Sequence, residues 1–266
     1  MLGRIRTFVA LALVVLVTVP MLLAQLLVVR TGLFDDRKIP HLWHRFILRV
    51  LDFRLSVHGG ISERRPLLLV ANHISWTDIM VMGAVAELHF ISKAEVKSWP
   101  VFGTFARLQR TVFVEREKKR RSGDQASEIA RRLNDDDPMV LFAEGVTSDG
   151  NLLMPFKTTL FGAASMAVDG GAVEAVSVQP VAIAYPRFHG MPMGRQHRPH
   201  ISWIGDNDLV PHILALLREG AVDVEVHFGA PVEYRRGDSR KQVAQEVERR
   251  VRDMFTAALR DARARK

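Results

Sequence analysis

The sequence predicts an α/β fold, a layered mixed sheet with flanking helices, preceded by an N-terminal membrane helix. Three observations support this prediction. Phe8–Val29 contains 22 residues without a charge. Beyond Gly59, short apolar runs alternate with longer mixed segments, as in sheets joined by crossover helices. A chain of 266 residues with 48% hydrophobic content can bury one substantial core. We therefore expect a membrane anchor at residues 1–34, an amphipathic segment at 35–58 and one α/β domain at 59–266.

The N-terminal apolar run is long enough to form a membrane helix. At about 1.5 Å per residue, 22 residues give a helix of roughly 33 Å, which matches the thickness of the hydrocarbon core. A cleaved signal peptide is the competing interpretation, but its apolar region is typically only about 7–15 residues long. No small-x-small cleavage site follows the run. We therefore expect an uncleaved anchor.

The next segment has the apolar spacing of an amphipathic helix. Its apolar residues recur at three- and four-residue steps, at Leu42, Trp43, Phe46, Ile47, Val50 and Leu51. Its polar residues, His44, Arg45, Arg49 and Asp52, fall elsewhere around the helix. Two locations fit this pattern equally well. The helix lies in the membrane interface with Trp43 at the headgroups, or it packs on the core of the domain.

Short apolar runs and longer mixed segments define the elements beyond Gly59. The predicted strands are Leu67–Ala71, His89–Ser92, Thr111–Val114, Val140–Ala143, Val178–Ala184 and Val224–Phe228. The predicted helices are Asp78–Val85, Pro100–Leu108, Ser122–Leu133, Gly162–Val168 and Arg240–Arg263. The stretch Pro186–Pro199, rich in Gly, Pro, His and Arg, is predicted to be an irregular surface loop.

Composition restricts the chemistry and the partners. The chain has no cysteine, so disulfides, thiolate metal sites and cysteine nucleophiles are excluded. The 37 Lys and Arg against 29 Asp and Glu give a net charge of +8, which suits an anionic partner. We do not expect nucleic acid, because aromatic content is only 8% and no stacking array is evident. A membrane surface or an acidic carrier protein fits better.

A histidine and an aspartate follow the first predicted strand of the domain. His73 lies at the carboxyl end of Leu67–Ala71, and Asp78 lies in the first turn of the next helix. Ligand crevices of α/β sheets lie at such strand ends. A lone histidine there is more often structural. The Asn-His-x-x-x-x-Asp spacing, however, supplies a general base together with the acid that orients it.

Other catalytic classes lack their signatures. A serine hydrolase needs a Gly-x-Ser-x-Gly elbow, which is absent from the sequence. Ser75 lies near His73, but we expect it to cap the following helix. The ten histidines show no paired helical spacing of the kind that metalloproteases use, so no metal site is expected.

Two further motifs follow predicted strands. Arg116 offers a planar, permanently charged fork for a phosphate or carboxylate headgroup, or forms a surface ion pair with Glu115 or Glu117. At Glu144 and Gly145, glycine permits a close backbone approach and the glutamate can accept a hydrogen bond from an acceptor molecule. Taken alone, Glu-Gly is typical of a turn.

These motifs resemble four sequence blocks of the glycerolipid acyltransferase superfamily, which is typified by lysophosphatidic acid acyltransferases. The first block is Asn72–Asp78. The second is Arg110–Arg116, which ends in Phe-x-x-Arg and has Arg110 where many members have glycine. The third is Phe142–Ser148, which resembles Phe-Pro-Glu-Gly-Thr-Arg-Ser and departs from it at Ala143, Val146 and Thr147. The fourth is Val178–Val181. Four blocks in the right order make a specific match.

The resemblance implies a direct O-acyl transfer. His73 would remove the proton of an acceptor hydroxyl, and Asp78 would stabilise the imidazolium that forms. The acyl thioester is a co-substrate, so no cofactor is expected. Acceptor-binding roles are implied for Arg116, Glu144 and Gly145, with supporting roles for Asn72, Phe113, Thr147 and Pro180.

Within the superfamily, the sequence looks most like the bacterial branch that acylates lyso-ornithine lipid. The similar pieces are Gln109–Arg116, Ser148–Gly150, Pro155–Lys157, Gly205-Asp206 and Leu209–His212. An ornithine head has a carboxylate and an amine but no phosphate, which agrees with a threonine at position 147 in place of arginine. Lysophosphatidic acid is the alternative acceptor. An inactive membrane scaffold is the alternative from a different class.

The expected partners and location follow from this resemblance. The partners are membrane lipids and either acyl carrier protein or acyl-coenzyme A. The basic run 118–121 could dock the donor or the membrane, although such runs are usually only solvated. We expect a bacterial inner-membrane protein, single-pass or monotopic, with its catalytic domain facing the cytoplasm. Basic residues flank the anchor on both sides, so charge gives only a weak orientation signal.

Overall fold

A mixed nine-stranded sheet forms the centre of the fold. The computed structural model describes residues 2–114, 128–133, 135, 137–169, 173–205 and 208–264. The strands are β1 Phe53–His58, β2 Leu67–Ala71, β3 His89–Lys93, β4 Val112–Val114, β5 Met139–Phe142, β6 Ala175–Phe188, β7 Met191–Pro192, β8 Val222–Phe228 and β9 Val232–Arg235. Their order across the sheet is β1-β8-β6-β2-β5-β3-β4, and β7 and β9 pair with β6.

Helices cover this sheet and extend from it at the N-terminus. They are α1 Leu2–Thr31, α2 Lys38–Val50, α3 Thr77–Val85, α4 Phe102–Leu108, α5 at residues 128–133, α6 Gly162–Asp169, α7 Leu209–Glu219 and α8 Arg240–Ala264. Short 3₁₀ turns occupy Ala94–Ser98, Thr158–Phe161 and Arg198–His200. α3 packs on α2, α2 packs on α1, and α8 packs along β6. The predicted fold class, a mixed sheet with flanking helices after an apolar N-terminal helix, is confirmed.

The central strands explain how distant residues come together. Every residue of β2 and β5 is buried, as expected for strands covered on both faces. The two strands are parallel neighbours, and Ala71 pairs with Phe142 at their carboxyl ends. His73 and Glu144 each follow these paired residues by two positions, so the sheet register places the first and third sequence blocks side by side.

Most predicted elements agree with the structure to within a few residues, but some differ. β6 continues to Phe188, β7 follows it, and Met193 and Arg198 are buried, so Pro186–Pro199 is not the irregular surface loop that was expected. Helix α7 and strands β1, β7 and β9 were not predicted. Of the predicted helix Ser122–Leu133, only residues 128–133 lie within the described part of the chain, and these are helical.

The segment before residue 59 belongs to the domain. Ile47, Leu48 and Leu51 are buried in the main core, and Trp43 and Phe46 are packed against it. The alternative of core packing is therefore correct for α2. The boundary at residue 59 is corrected as well, because residues 53–58 form β1 and pair in parallel with β8. The alternation Phe53, Leu55, Val57 explains this strand, since these side chains share one face.

The apolar N-terminal helix lies against the domain. Residues Gly3–Thr31 of α1 are long and apolar enough to cross a membrane. Near its start, the guanidinium of Arg6 donates a 2.7 Å hydrogen bond to the carbonyl of Glu219 at the end of α7. Near its end, the amide of Gln25 donates a 2.8 Å hydrogen bond to the carbonyl of Leu108 at the end of α4. Helix α1 is thus held by the domain at both ends.

Candidate active site

His73 and Asp78 form a hydrogen-bonded pair. Nδ1 of His73 lies 2.8 Å from Oδ2 of Asp78. The Asp78 side chain is fully buried, whereas the His73 side chain is 18% exposed. The carboxylate therefore holds the proton on Nδ1, which leaves Nε2 as the nitrogen that can accept a proton from a substrate. The ring of His73 stacks on Phe142 with a centroid separation of 4.2 Å, which fixes its plane.

The Asp78 carboxylate accepts several hydrogen bonds in addition to the one from His73. Its Oδ2 accepts the backbone N–H groups of Ile74 at 2.6 Å and Ser75 at 2.9 Å. Its Oδ1 accepts the hydroxyl of Tyr185 at 2.6 Å. Burial, and then the neighbouring Asp78, raise the pKa of Tyr185 well above its usual value, so the phenol keeps the proton that it donates. A buried carboxylate with four donors can remain charged beside the imidazole.

The loop that carries His73 is not capped by Ser75. Among the described residues, the Ser75 hydroxyl is buried and has no hydrogen-bond partner. The expected capping role of Ser75 is therefore wrong. The side chain of Asp78 accepts the N–H groups of Ile74 and Ser75, so it fixes the loop before α3 and does not cap the helix.

Glu144 supports the same loop from the neighbouring strand. Its Oε1 accepts the N–H of His73 at 2.7 Å, and its Oε2 accepts the N–H of Met154 at 2.9 Å. The residue is 1% exposed. Burial raises the pKa of Glu144 to about 7, although the two backbone N–H groups oppose this shift. Both oxygens accept backbone N–H groups, so Glu144 positions the loop of His73, and its contact with the acceptor stays a prediction.

The remaining predicted site residues divide between the cavity and the scaffold. Gly145 lines the cavity and has a φ of +75°, which favours glycine. Asn72 exchanges two hydrogen bonds with the backbone of Ile183, at 2.9 and 2.8 Å, and so ties the end of β2 to β6. Phe113 pairs with Ser92 in the sheet. The carbonyl of Pro180 accepts the N–H of Gly229, so Pro180 supports the sheet away from the cavity.

Two positions bear on headgroup recognition. Thr147 lines the cavity, and its hydroxyl donates to the carbonyl of Trp203. The threonine therefore binds the segment that contains Trp203. Position 147 has no cation, whereas the family block has an arginine there. Arg116 lies outside the described residues, just beyond β4, so its predicted role stays a prediction. Arg110 has a φ of +53°, which explains why glycine suits this position in many members.

A large apolar cavity opens beside His73. Its volume is about 540 Å³, within the usual range for ligand pockets of roughly 300–1,000 Å³. The lining is mostly aromatic and aliphatic, from Trp43, Trp76, Ile79, Met80, Phe90, Ile91, Val96, Trp99, Phe102, Phe105, Phe142 and Trp203. The charged side chains at its wall, among the described residues and apart from histidine, are Lys93 and Glu95. The cavity suits a long apolar chain with a polar end near His73.

Sequence reasoning missed two functional side chains. Tyr185 lies one residue beyond the predicted strand Val178–Ala184, and its contact with Asp78 requires β6 and α3 to be neighbours. A tyrosine at the end of a mostly apolar strand was the available signal, because a buried phenol needs a partner. Phe142 lies inside the third block, but its stacking on His73 follows only from the β2–β5 register.

Comparisons with known proteins agree with this geometry. Residues 54–184 match the model of the Acyltransferase family. The chain is 51% identical to the lyso-ornithine lipid O-acyltransferase of Brucella abortus, over 97% of each chain, and 49% identical to that of Rhizobium meliloti, over 98% of this chain and 89% of the relative. It is 31% identical to a 1-acyl-sn-glycerol-3-phosphate acyltransferase of Neisseria meningitidis, over 78% and 77%.

A solved structure shares the fold. The crystal structure of the 1-acyl-sn-glycerophosphate (LPA) acyltransferase PlsC from Thermotoga maritima aligns with a TM-score of 0.64 at 21% identity. The alignment covers 96% of this chain and 97% of that chain. The shared region includes the N-terminal helix, the sheet and the closing helix.

Tyr185→Phe tests the positioning of Asp78. Without this hydrogen bond the Asp78 carboxylate is held less firmly beside His73, so kcat should fall roughly tenfold or more. KM should change little, because Tyr185 is not among the described residues that line the cavity. Tyr234→Phe is the control, because the chain's other tyrosine is also buried but bonds Ser165. An unchanged kcat for Tyr185→Phe, or an equal loss in Tyr234→Phe, would leave this tyrosine with a structural role only.

Glu144→Gln tests the buried carboxyl through pH. The folded-state pKa of Glu144 is raised, so its neutral form stabilises the fold below about pH 4.5, and this contribution is lost as pH rises through about 7. The unfolding free energy of the wild type relative to Glu144→Gln should therefore fall by roughly 3 kcal/mol between pH 4 and 8. Thermal or urea unfolding in detergent measures this difference. Exposed Glu174→Gln is the control for removal of a carboxylate, and a pH-independent difference for Glu144→Gln would refute the raised pKa.

Proposed function

Because the chain belongs to the acyltransferase family, we propose that it transfers a fatty acyl group from a thioester to the hydroxyl of a one-chain lipid, with lyso-ornithine lipid as the favoured acceptor. It is an O-acyltransferase. The observation that carries the proposal is the His73–Asp78 pair at the wall of an apolar cavity of about 540 Å³. An inactive scaffold does not account for a base whose orienting acid is held by three further donors.

His73 acts as the general base in the proposed reaction. Its Nε2 takes the proton of the acceptor hydroxyl while that oxygen attacks the thioester carbonyl carbon. Asp78 stabilises the imidazolium without taking its proton. The carbon–sulfur bond then breaks, and the imidazolium returns the proton to the leaving thiolate. The products are an ester and a free thiol, and no covalent enzyme intermediate forms.

The head of the acceptor is matched by opposite charges at the cavity wall. An ornithine head has a carboxylate and an ammonium group, and the wall has one cation, Lys93, and one anion, Glu95, among its described residues. A phosphate carries up to two negative charges, which Glu95 repels. Thr147 adds no cation to this region. The two wall charges and the 51% identity to a lyso-ornithine lipid O-acyltransferase favour the ornithine acceptor over lysophosphatidic acid.

Arg116 lies outside the described residues, and its role rests on the second sequence block. We propose that its guanidinium binds the carboxylate of the acceptor through two parallel hydrogen bonds. The acyl donor is an acyl carrier protein or coenzyme A thioester, and both are acidic partners that suit a chain of net charge +8.

The membrane association is proposed to be monotopic and on the cytoplasmic face of the inner membrane. Arg6 and Gln25 both bond the domain, and 19 residues separate them, or roughly 28 Å of helix. If α1 crossed the bilayer, α7 and α4, which are bonded to α1 near its two ends, would lie within the hydrocarbon core, which is roughly 30 Å thick. The outer face of α1 is apolar and exposed at Leu16, Val19, Leu23 and Leu27. This face lies in one leaflet and keeps the cavity near its lipid substrate.

The acceptor is tested by assaying the purified protein with lyso-ornithine lipid and lysophosphatidic acid side by side, at fixed donor and detergent. The wild type should prefer lyso-ornithine lipid. Glu95→Gln should raise the KM for lyso-ornithine lipid about tenfold or more. It should not raise the KM for lysophosphatidic acid. Thr147→Arg should move the preference toward the phosphate. Exposed Glu63→Gln is the matched control. If the protein acylated lysophosphatidic acid efficiently and did not acylate lyso-ornithine lipid, the assignment of the acceptor would be wrong. The assignment of the reaction class would stand.

The topology is tested by cysteine labelling, for which a chain without native cysteine is well suited. Arg4→Cys and Leu33→Cys place exposed thiols near the two ends of α1, and Ser239→Cys marks the domain. In inverted membrane vesicles, an impermeant maleimide should label all three. Carbonate washing should leave the protein in the membrane, since the anchor is held by apolar contact. Labelling of the two ends from opposite sides would establish a spanning helix.

A further inference from the structure

Three potential metal ligands converge on the sheet away from the catalytic pair. His58 ends β1, and Glu225 and His227 lie on the neighbouring strand β8. In the parallel register, His58 is directly opposite His227, and Glu225 is two residues before it on the same face of β8. On β8, Glu225 and His227 alternate with Val224 and Val226, which are fully buried. His58 is paired with His227, so all three side chains lie on the face of the sheet that is open to solvent here.

This face is not the catalytic one. Ala184 of β6 pairs with Glu225, so the two side chains point to the same face of the sheet. The next residue, Tyr185, points to the other face and bonds Asp78. An ion bound by His58, Glu225 and His227 is thus separated from the reacting atoms by the sheet.

The three ligand atoms have the spacing of a metal site. Nε2 of His227 lies 3.0 Å from Oε2 of Glu225, and Nε2 of His58 lies 3.7 Å from the same oxygen. All three candidate ligand atoms lie within 4.8 Å of one another. A tetrahedral Zn²⁺ with bonds of about 2.0–2.2 Å requires ligand atoms about 3.3–3.5 Å apart. Binding requires the side chains to rotate until these distances reach that value.

The environment of the cluster also suits a cation. The two imidazole rings are stacked, with centroids 4.3 Å apart and planes within 9°. Because a metal lies in the plane of each imidazole that binds it, one of the two rings must rotate out of this stack for both Nε2 atoms to bind the same ion. The carboxylate of Glu225 lies next to both rings and attracts a cation. The side chains are 20–43% exposed, which gives an ion a path from solvent.

We propose that His58, Glu225 and His227 form a Zn²⁺ site that fastens the edge strand β1 to β8. Two imidazoles and a carboxylate are a donor set typical of Zn²⁺, and a water completes the tetrahedron. β1 has β8 as its strand neighbour and connects helices α1 and α2 to the sheet. The ion has a structural role, because it joins two strands that are otherwise held by backbone hydrogen bonds and apolar packing.

The test uses full-length protein in detergent, purified with a tag that contains no histidine and treated with chelator. Titration calorimetry with Zn²⁺ should show one site per chain. Zn²⁺ at about a hundredfold excess over Kd should raise the Tm by roughly 5 °C. His58→Gln, Glu225→Gln and His227→Gln should each weaken binding at least tenfold. Acyl transfer should be unchanged in all three.

His197→Gln is the matched control. His197 stacks on His200 at 6.0 Å, but among the described residues no carboxylate joins this pair. The control should keep full Zn²⁺ affinity and the full rise in Tm. Each variant is first compared with the wild type in chelator, so that loss of fold is separated from loss of ligand. The absence of Zn²⁺ binding, or binding that survives in the His58→Gln/His227→Gln double variant, would overturn the proposal and leave only an ion pair between Glu225 and the histidines.

Discussion

Two buried carboxylates from different parts of the chain hold the loop that carries the base. The backbone N–H of His73 is bound by Glu144, and those of Ile74 and Ser75 are bound by Asp78. These three consecutive N–H groups follow β2, so they have left the ladder and need other acceptors in a buried place. The loop carbonyls are also satisfied, since those of His73 and Ile74 accept the N–H groups of Ser148 and Trp203. The orientation of His73 depends on this arrangement.

The sheet supplies both carboxylates, and the surrounding helices supply the environment in which they act. Parallel pairing of β2 with β5 brings Glu144 beside His73, and pairing of β2 with β6 brings Tyr185 to Asp78. Trp43 of α2 donates a 2.8 Å hydrogen bond to Thr18 of α1 and also lines the cavity. Helices α1 and α2 are thereby connected to the wall of the apolar cavity beside His73. A substrate with a long apolar chain can remain close to the bilayer while its hydroxyl reaches the base.

The sequence predicts the elements and the catalytic pair because both are local. The apolar run Leu67–Ala71 and the spacing of His73 and Asp78 involve one continuous segment. The roles of Glu144 and Tyr185 depend on strand order, which a single sequence does not define. His44 shows the same limit of sequence analysis. A polar residue on an amphipathic helix is expected to be exposed to solvent. It is 2% exposed, its Nε2 lies 3.0 Å from the Gln109 amide nitrogen, and burial lowers its pKa to about 4.

The most direct measurement is the acyl-transfer rate of purified His73→Ala and Asp78→Asn with lyso-ornithine lipid and an acyl thioester. General-base catalysis is worth about 10²–10⁴-fold, so His73→Ala should lose at least a hundredfold. Asp78→Asn should also be severely impaired, because the tautomer is no longer controlled. His73→Ala should keep its Tm and its membrane association, since the imidazole is at the cavity wall. A His73→Ala protein that retained a tenth or more of the wild-type rate would contradict the assignment of His73 as the base.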